Sequence, residues 1–271
     1  MEIKNGTAVV TGAASGIGRA IAHELARRGI KAIALVDRSE SVKEAANRVE
    51  RLGHTTVLPF VGDTTNAEFR KRVFDRVCDQ YGTVNFCIPA AGITRDALSV
   101  KINRETGEPD IYSSETFRFV IEVDLIAPIY WALETLARIA KSRRVRNLTR
   151  WNPEEGIQGV IVLVGSVSSS GVKGQLAYST AKAGLDGAAA TLSKEATFYG
   201  VRCGIIHPGF TDTPMVRALG DEYIRTHILP DTQLGRLIRP EEIADAVCFM
   251  ISNSAVTGQL WADAGWHPSA A

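Results

Sequence analysis

Residues 7–18 read Thr7-Ala8-Val9-Val10-Thr11-Gly12-Ala13-Ala14-Ser15-Gly16-Ile17-Gly18. A short apolar run enters a glycine-spaced turn, and a helical pattern follows over Ile17–Arg28. Glycines are needed where the backbone turns sharply and where a pyrophosphate must approach it closely. The helix beyond them offers free N–H groups and a positive dipole end to phosphate. Nineteen residues after Gly18, Asp37 follows a second apolar run, Ala32–Val36. A carboxylate at the end of that strand can accept hydrogen bonds from an adenosine ribose. A plain structural turn and a solvated Asp would also explain these residues. The strand–turn–helix setting favours the dinucleotide.

Working outward, the same alternation repeats along the chain. Strands are expected at 56–61, 84–88, 160–164, 202–206 and 259–262. Helices are expected at 41–52, 67–81, 114–141, 177–199 and 241–251. Apolar strands without clean alternation, separated by helices, indicate a parallel sheet covered on both faces. The fold class is therefore α/β: a Rossmann-type doubly wound, mostly parallel seven-stranded sheet, with ligands at the carboxyl ends of the strands. No linker or repeat interrupts it, so residues 1–271 are read as a single dinucleotide-binding and catalytic domain. Two inserted loops stand out, near 99–113 and 143–159. The second carries Arg143, Arg144, Arg146 and Arg150, read as a solvated helix end rather than a site for an acidic partner.

The 271 residues carry 31 Lys+Arg and 30 Asp+Glu, a formal charge of +1. That balance argues against a nucleic-acid binder. No apolar run reaches the ~20 residues of a membrane span, and no signal segment opens the chain. Cys78, Cys87, Cys203 and Cys248 form no C-x-x-C pair. They are read as small buried hydrophobes, with no metal site, in a reducing, cytoplasmic setting.

The spacing Thr11-Gly12-x-x-x-Gly16-x-Gly18 resembles the glycine motif of the short-chain dehydrogenase/reductase family. Asp63 in Val61-Gly62-Asp63 matches that family's aspartate beside the adenine. Pro89-Ala90-Ala91-Gly92 falls where the family has Asn-Asn-Ala-Gly, with Ala91 and Gly92 retained. Tyr178-Ser179-Thr180-Ala181-Lys182 places Tyr178 and Lys182 on one helix face, twelve residues after Val164-Gly165-Ser166. Hydride transfer at a carbinol carbon requires a proton moved from or to its oxygen. A phenol of pKa about 10 can do this when a cation favours its ionised form. The resemblance makes Tyr178 the acid/base, Lys182 the ribose-holding cation and Ser166 the group orienting substrate, with Ser168 an alternative. It aligns Asp124 with the family's fourth catalytic residue, an asparagine. An aspartate adds negative charge beside Lys182.

The resemblance also assigns Ser15 and Ile17 to the cofactor loop, and Pro208-Gly209 to the turn beneath the nicotinamide. Thr211 and Thr213 are candidate contacts there, with Thr213 preferred. His207 is read as a satisfied structural residue. Asp37 opposes a 2′-phosphate, so the expected coenzyme is NAD(H); adjacent Arg38 is the one basic feature favouring NADP(H). The lid, residues 211–236, with Gln175, Leu176 and Phe210, points to a moderately apolar secondary alcohol or ketone as substrate. Residues 90–98, AAGITRDAL, resemble 3-oxoacyl-carrier-protein reductases, which generally use NADPH, and make reduction of a 3-oxoacyl thioester the alternative. A dinucleotide-binding regulator without turnover is the third reading. The resemblance further implies a homotetramer built on paired helices, for which Gly184, Gly187, Ala188, Ala189 and Ala190 are small enough.

Overall fold

The computed structural model describes residues 1–266; the final five residues of the expected single domain, 267–271, lie outside the described residues. The first half alternates strictly. It runs β1 (Thr7–Thr11), α1 (Gly16–Arg27), β2 (Ala32–Asp37), α2 (Val42–Glu50), β3 (Thr56–Val61), α3 (Ala67–Tyr81) and β4 (Phe86–Pro89). A hairpin, β5 (Val100–Ile102) and β6 (Pro109–Ile111), precedes α4 (Ser114–Ile121) and α5 (Ala127–Val145). Then come β7 (Gly159–Val164), α6 (Leu176–Glu195) and β8 (Val201–Pro208). Two short helices, α7 (Pro214–Arg217) and α8 (Asp221–Tyr223), lead to α9 (Pro240–Ser252) and β9 (Gly258–Ala262).

Seven strands form one sheet in the order β3-β2-β1-β4-β7-β8-β9, and every pairing in it is parallel. Strand side chains divide by alternation. Ile33 and Leu35 face the α1/α2/α9 layer, and Ala34 and Val36 face the α3/α5/α6 layer. Both faces are covered, which is why β2 reads as one unbroken apolar run. The chain winds one way from β1 to β3 and the other way from β4, so the sheet's switch point lies between β1 and β4. A crevice is expected outside the strand ends there.

Four expectations need correction. Residues 99–113 are not wholly irregular: the antiparallel β5–β6 pair forms a hairpin within them. The helix expected over 114–141 is interrupted by a π-helical turn, Glu122–Ile126, and resumes as α5. β4 begins two residues later than expected, because the Asn85 side chain turns inward to accept a hydrogen bond from the Thr7 N–H at 3.0 Å. Arg143 is not solvated. It is 1% exposed, pairs with Glu155 and donates to the Thr149 carbonyl at 3.0 Å. Arg144, Arg146 and Arg150 are exposed as expected.

Candidate active site

A cleft of about 510 Å³ runs along the carboxyl ends of β1, β2, β3, β4, β7 and β8. Every catalytic and cofactor residue expected from sequence lines it except Asp124; of the expected substrate contacts, Gln175 and Phe210 line it and Leu176 points to solvent.

At one end the wall is largely backbone. Gly12 has φ +66°, and a Cβ there would stand 2.8 Å from Ala91 Cα. A Cβ on Gly18 would meet the Gly12 carbonyl oxygen at 2.3 Å. No side chain caps the N-terminus of α1 at Ser15, so its first N–H groups face the cleft. This is the close-approach, positive-ended cradle that a pyrophosphate requires, so these residues fit a dinucleotide. Pro89-Ala90 lacks amide side chains, and Thr11 bridges the same two strands instead: its hydroxyl accepts from the Ala91 N–H at 3.1 Å.

Asp37 is fixed at the rim. Its Oδ2 accepts from the Ala14 N–H at 3.1 Å and its Oδ1 from the Ser39 N–H at 2.9 Å. Arg38 is exposed beside it, and Asp63, half-buried, accepts from the Thr65 N–H at 2.9 Å.

Side chains dominate the other end. Helix α6 carries Tyr178, half-buried, and Lys182, 5% exposed, and Lys182 Nζ lies 5.5 Å from the Tyr178 ring centroid. Lys182 Nζ donates to the Val164 carbonyl at 3.0 Å. Ser166 stands two residues beyond β7 and caps the short turn that follows, where its Oγ accepts from the Ser168 N–H at 3.1 Å. Burial pushes the Tyr178 phenol above its ordinary value; Lys182 pulls it down, Asp124 pushes it up, and the Ser166 hydroxyl pulls it down. That contact with Tyr178 distinguishes Ser166 from Ser168, although both line the cleft. Asp124 sits behind the wall, fully buried, with Oδ2 3.5 Å from Lys182 Nζ. Burial raises its carboxyl above the usual range, opposed chiefly by Lys182.

His207 is buried outside the cleft. Its Nδ1 is 3.2 Å from the Ser166 carbonyl, its Nε2 is 3.1 Å from Asp186, and its ring stacks on Trp261. Pro208 and Gly209 follow it into the cleft lining. Thr211 spends its hydroxyl on the Gly209 carbonyl at 3.0 Å, whereas the Thr213 side chain lies against Gly16 of the glycine loop. The segment expected as a lid, residues 211–236, builds a small core with its flanking residues: Ile224, Ile228 and Leu237 pack with Phe210, Val216 and Leu229. Fewer of its apolar residues therefore face the cleft than its sequence suggests; Phe210, Met215, Val216 and Leu219 do. Phe119 and Val123 line the opposite wall and were missed, although their i, i+4 spacing marks one helix face.

Comparison with known proteins agrees with this geometry. The family model described as enoyl-(acyl carrier protein) reductase matches residues 12–267. The 3-oxoacyl-[acyl-carrier-protein] reductase of Vibrio cholerae is 32% identical over 262 residues, 96% of each chain. Carbonyl reductase family member 4 of Danio rerio is 31% identical over 255 residues, 93% of this chain and 94% of its own. In fold, the chain is similar to a short-chain type dehydrogenase/reductase from Mycobacterium marinum, with a TM-score of 0.82 at 20% identity, covering 98% of this chain and 96% of that one. The chain belongs to the short-chain dehydrogenase/reductase family of oxidoreductases.

Proposed function

We propose that this chain reduces 3-oxoacyl thioesters, with Tyr178 as the proton donor. The observation that carries the reading is the meeting of Tyr178, Ser166 and Lys182 at one end of a cleft whose other end is the uncapped start of α1. Relatives named as 3-oxoacyl-[acyl-carrier-protein] reductases, matching over 96% of the chain, support the substrate class.

A bound nicotinamide supplies the hydride acceptor or donor. The chain's own residues do the rest. Ser166 orients the substrate oxygen toward Tyr178. Tyr178 Oη gives its proton to that oxygen as the carbonyl carbon is reduced, and takes a proton back from solvent. Lys182 stabilises the phenolate left behind and holds the ribose. Gly12, Gly16 and Gly18 let the pyrophosphate approach, with Ser15 and Ile17 at the helix end. Ala91, Gly92, Pro208, Gly209 and Thr213 frame the nicotinamide side, and Asp63 the adenine side. Thr211 braces the turn through the Gly209 carbonyl rather than touching the ligand.

Asp37 supports NAD(H) as the coenzyme. Its carboxylate is already pinned by two backbone N–H groups and cannot swing away from a 2′-phosphate without losing both. Arg38 is the opposing feature.

A second reading, a secondary alcohol or simple ketone as substrate, is favoured by the apolar wall of Phe119, Val123, Phe210, Met215 and Leu219. An absorbance assay for dihydronicotinamide consumption over 3-oxoacyl thioesters and matched ketones decides. Preference for the thioesters is expected; turnover of ketones alone overturns the substrate class.

Residues 1–271 act in this reading as one catalytic domain. A homotetramer is part of the same proposal. Ile126, Tyr130 and Leu133 of the α5 region are exposed, and Ala183, Gly187 and Ala190 form an exposed small-residue line on α6. Gly184 and Ala189 turn inward instead; a Cβ on Gly184 would meet Leu125 at 2.8 Å. Light scattering at the monomer mass of 29.3 kDa would remove the tetramer.

A further inference from the structure

Asp124 stands where the family pattern has a neutral amide, and its surroundings show what the added charge does. The π-helical turn Glu122–Ile126 carries it into the interior, where it is 0% exposed. Its Oδ1 accepts from the Ile93 N–H at 2.9 Å, and its Oδ2 lies 3.5 Å from Lys182 Nζ. A Cβ on Gly92 would stand 3.0 Å from that Oδ2 and 3.6 Å from that Nζ, so the pair lies directly behind the cleft wall. The Lys182 ammonium has three protons. One goes to the Val164 carbonyl and one faces Asp124, which leaves one for the cleft.

We propose that Asp124 is a positioning residue that partly neutralises Lys182 and so moves the pH window of the Tyr178 chemistry upward: carbonyl reduction persists to more alkaline pH, and alcohol oxidation begins later. The inference rests on the acid/base reading of Tyr178 given above. The charged groups facing Tyr178 are Lys182 on its own helix, Asp124 from the π-helical turn, and Asp96 from the segment after β4; Ser166 from the turn after β7 adds a neutral hydroxyl. Facing Asp124 are the charged Lys182 and the neutral Ile93 N–H. Two carboxylates and one ammonium therefore act on the phenol, and the aspartate beside the ammonium cancels part of the only favourable charge. An ionised group within about 4–6 Å of a titrating group shifts it by about 1–3 units. Asp124 acts partly through Lys182, so a shift near the lower end is expected.

The test is Asp124→Asn, which removes the charge and keeps the shape. Two readouts are taken: the pH profile of carbonyl reduction, and the tyrosinate ultraviolet absorbance of the coenzyme-free protein on titration. The absorbance is read as the difference between each protein and its Tyr178→Phe counterpart, which isolates one phenol. Both the alkaline limb and the isolated titration should move down by about one pH unit in Asp124→Asn. Asp124→Ser, smaller and also neutral, should shift them the same way and serves if the amide fails to fold. An unmoved titration in a folded neutral variant, with Tyr178→Phe inactive, overturns the proposal and leaves the acid/base reading standing. Full turnover in Tyr178→Phe overturns that reading and the proposal with it.

Discussion

The two ends of the cleft are built from different materials. At the dinucleotide end the surface is backbone. Gly12 packs on Ala91, Gly18 packs on Gly12, and the first turn of α1 is left uncapped. At the chemical end the surface is side chain, drawn from separate elements: Tyr178 and Lys182 from α6, Ser166 from the turn after β7, and Asp124 from a π-helical turn behind them. A backbone-built site tolerates little, because its atoms cannot move aside. A side-chain site can exchange Asn for Asp, keep the fold, and change its chemistry. This chain replaces two amide side chains of the family pattern by Pro89-Ala90 at the first end, where Thr11 takes over the bridging hydrogen bond, and one by the charged Asp124 at the second.

The sharpest way to break that contrast is Tyr178→Phe. The substitution keeps the ring and deletes the transferable proton, so turnover should fall by about 10²–10⁴-fold while NADH binding, followed by fluorescence, stays nearly intact. Loss of binding along with turnover would merge the two ends into one.

Gly18→Ala attacks the other end. The new methyl must displace the Gly12 carbonyl, 2.3 Å away, at a strain of about 1–3 kcal/mol. NADH affinity should fall by about 10- to 100-fold, and calorimetric titration reads it. Unchanged affinity would mean the loop relaxes freely.

Asp37→Ala has a smaller effect than either. The unmodified protein should favour NAD(H) over NADP(H) by at least about tenfold in kcat/KM, and the variant should narrow or reverse that preference. Equal efficiency with both coenzymes before mutation would assign control to Arg38.

The smallest effect concerns the clamp that ends the lid. Arg236, then the Arg239 N–H and the Arg239 side chain, hold Glu242 down to about 2. A depressed carboxyl stabilises the fold fully above its ordinary value of 4.5, and that stability is lost as pH falls toward about 2. The pair is exposed, so the contribution is modest. The Tm gap between the unmodified protein and Glu242→Gln should be present at neutral pH and close on acidification. A gap that persists at the acid end would contradict the charge-based account.

The sequence was legible where local chemistry decides the outcome. Helix α3 runs from Ala67 to Tyr81 as expected, because Asn66 caps it through the Phe69 N–H and Gly82, at φ +85°, ends it. The glycine loop was legible because steric exclusion leaves no other residue there. What escaped reading depends on distant partners. The helical pattern continues unbroken across 122–126, so nothing local announces the π-helical turn that aims Asp124 inward. Arg143 looks like one of four surface arginines until Glu155, twelve residues on, folds back onto it. The hairpin strands Val100–Ile102 and Pro109–Ile111 have three residues each and lie wholly exposed, so their alternation is too short to read as strands.

In the proposed reaction, hydride passes directly to carbon 3 of a 3-oxoacyl thioester and the proton on its oxygen comes through Tyr178. Reduction with NADH deuterated at the transferring position tests it most directly, by mass spectrometry of the isolated 3-hydroxyacyl product. One deuterium at carbon 3 is expected in every product molecule. An unlabelled product, or no product from any thioester while NADH binds, would contradict it.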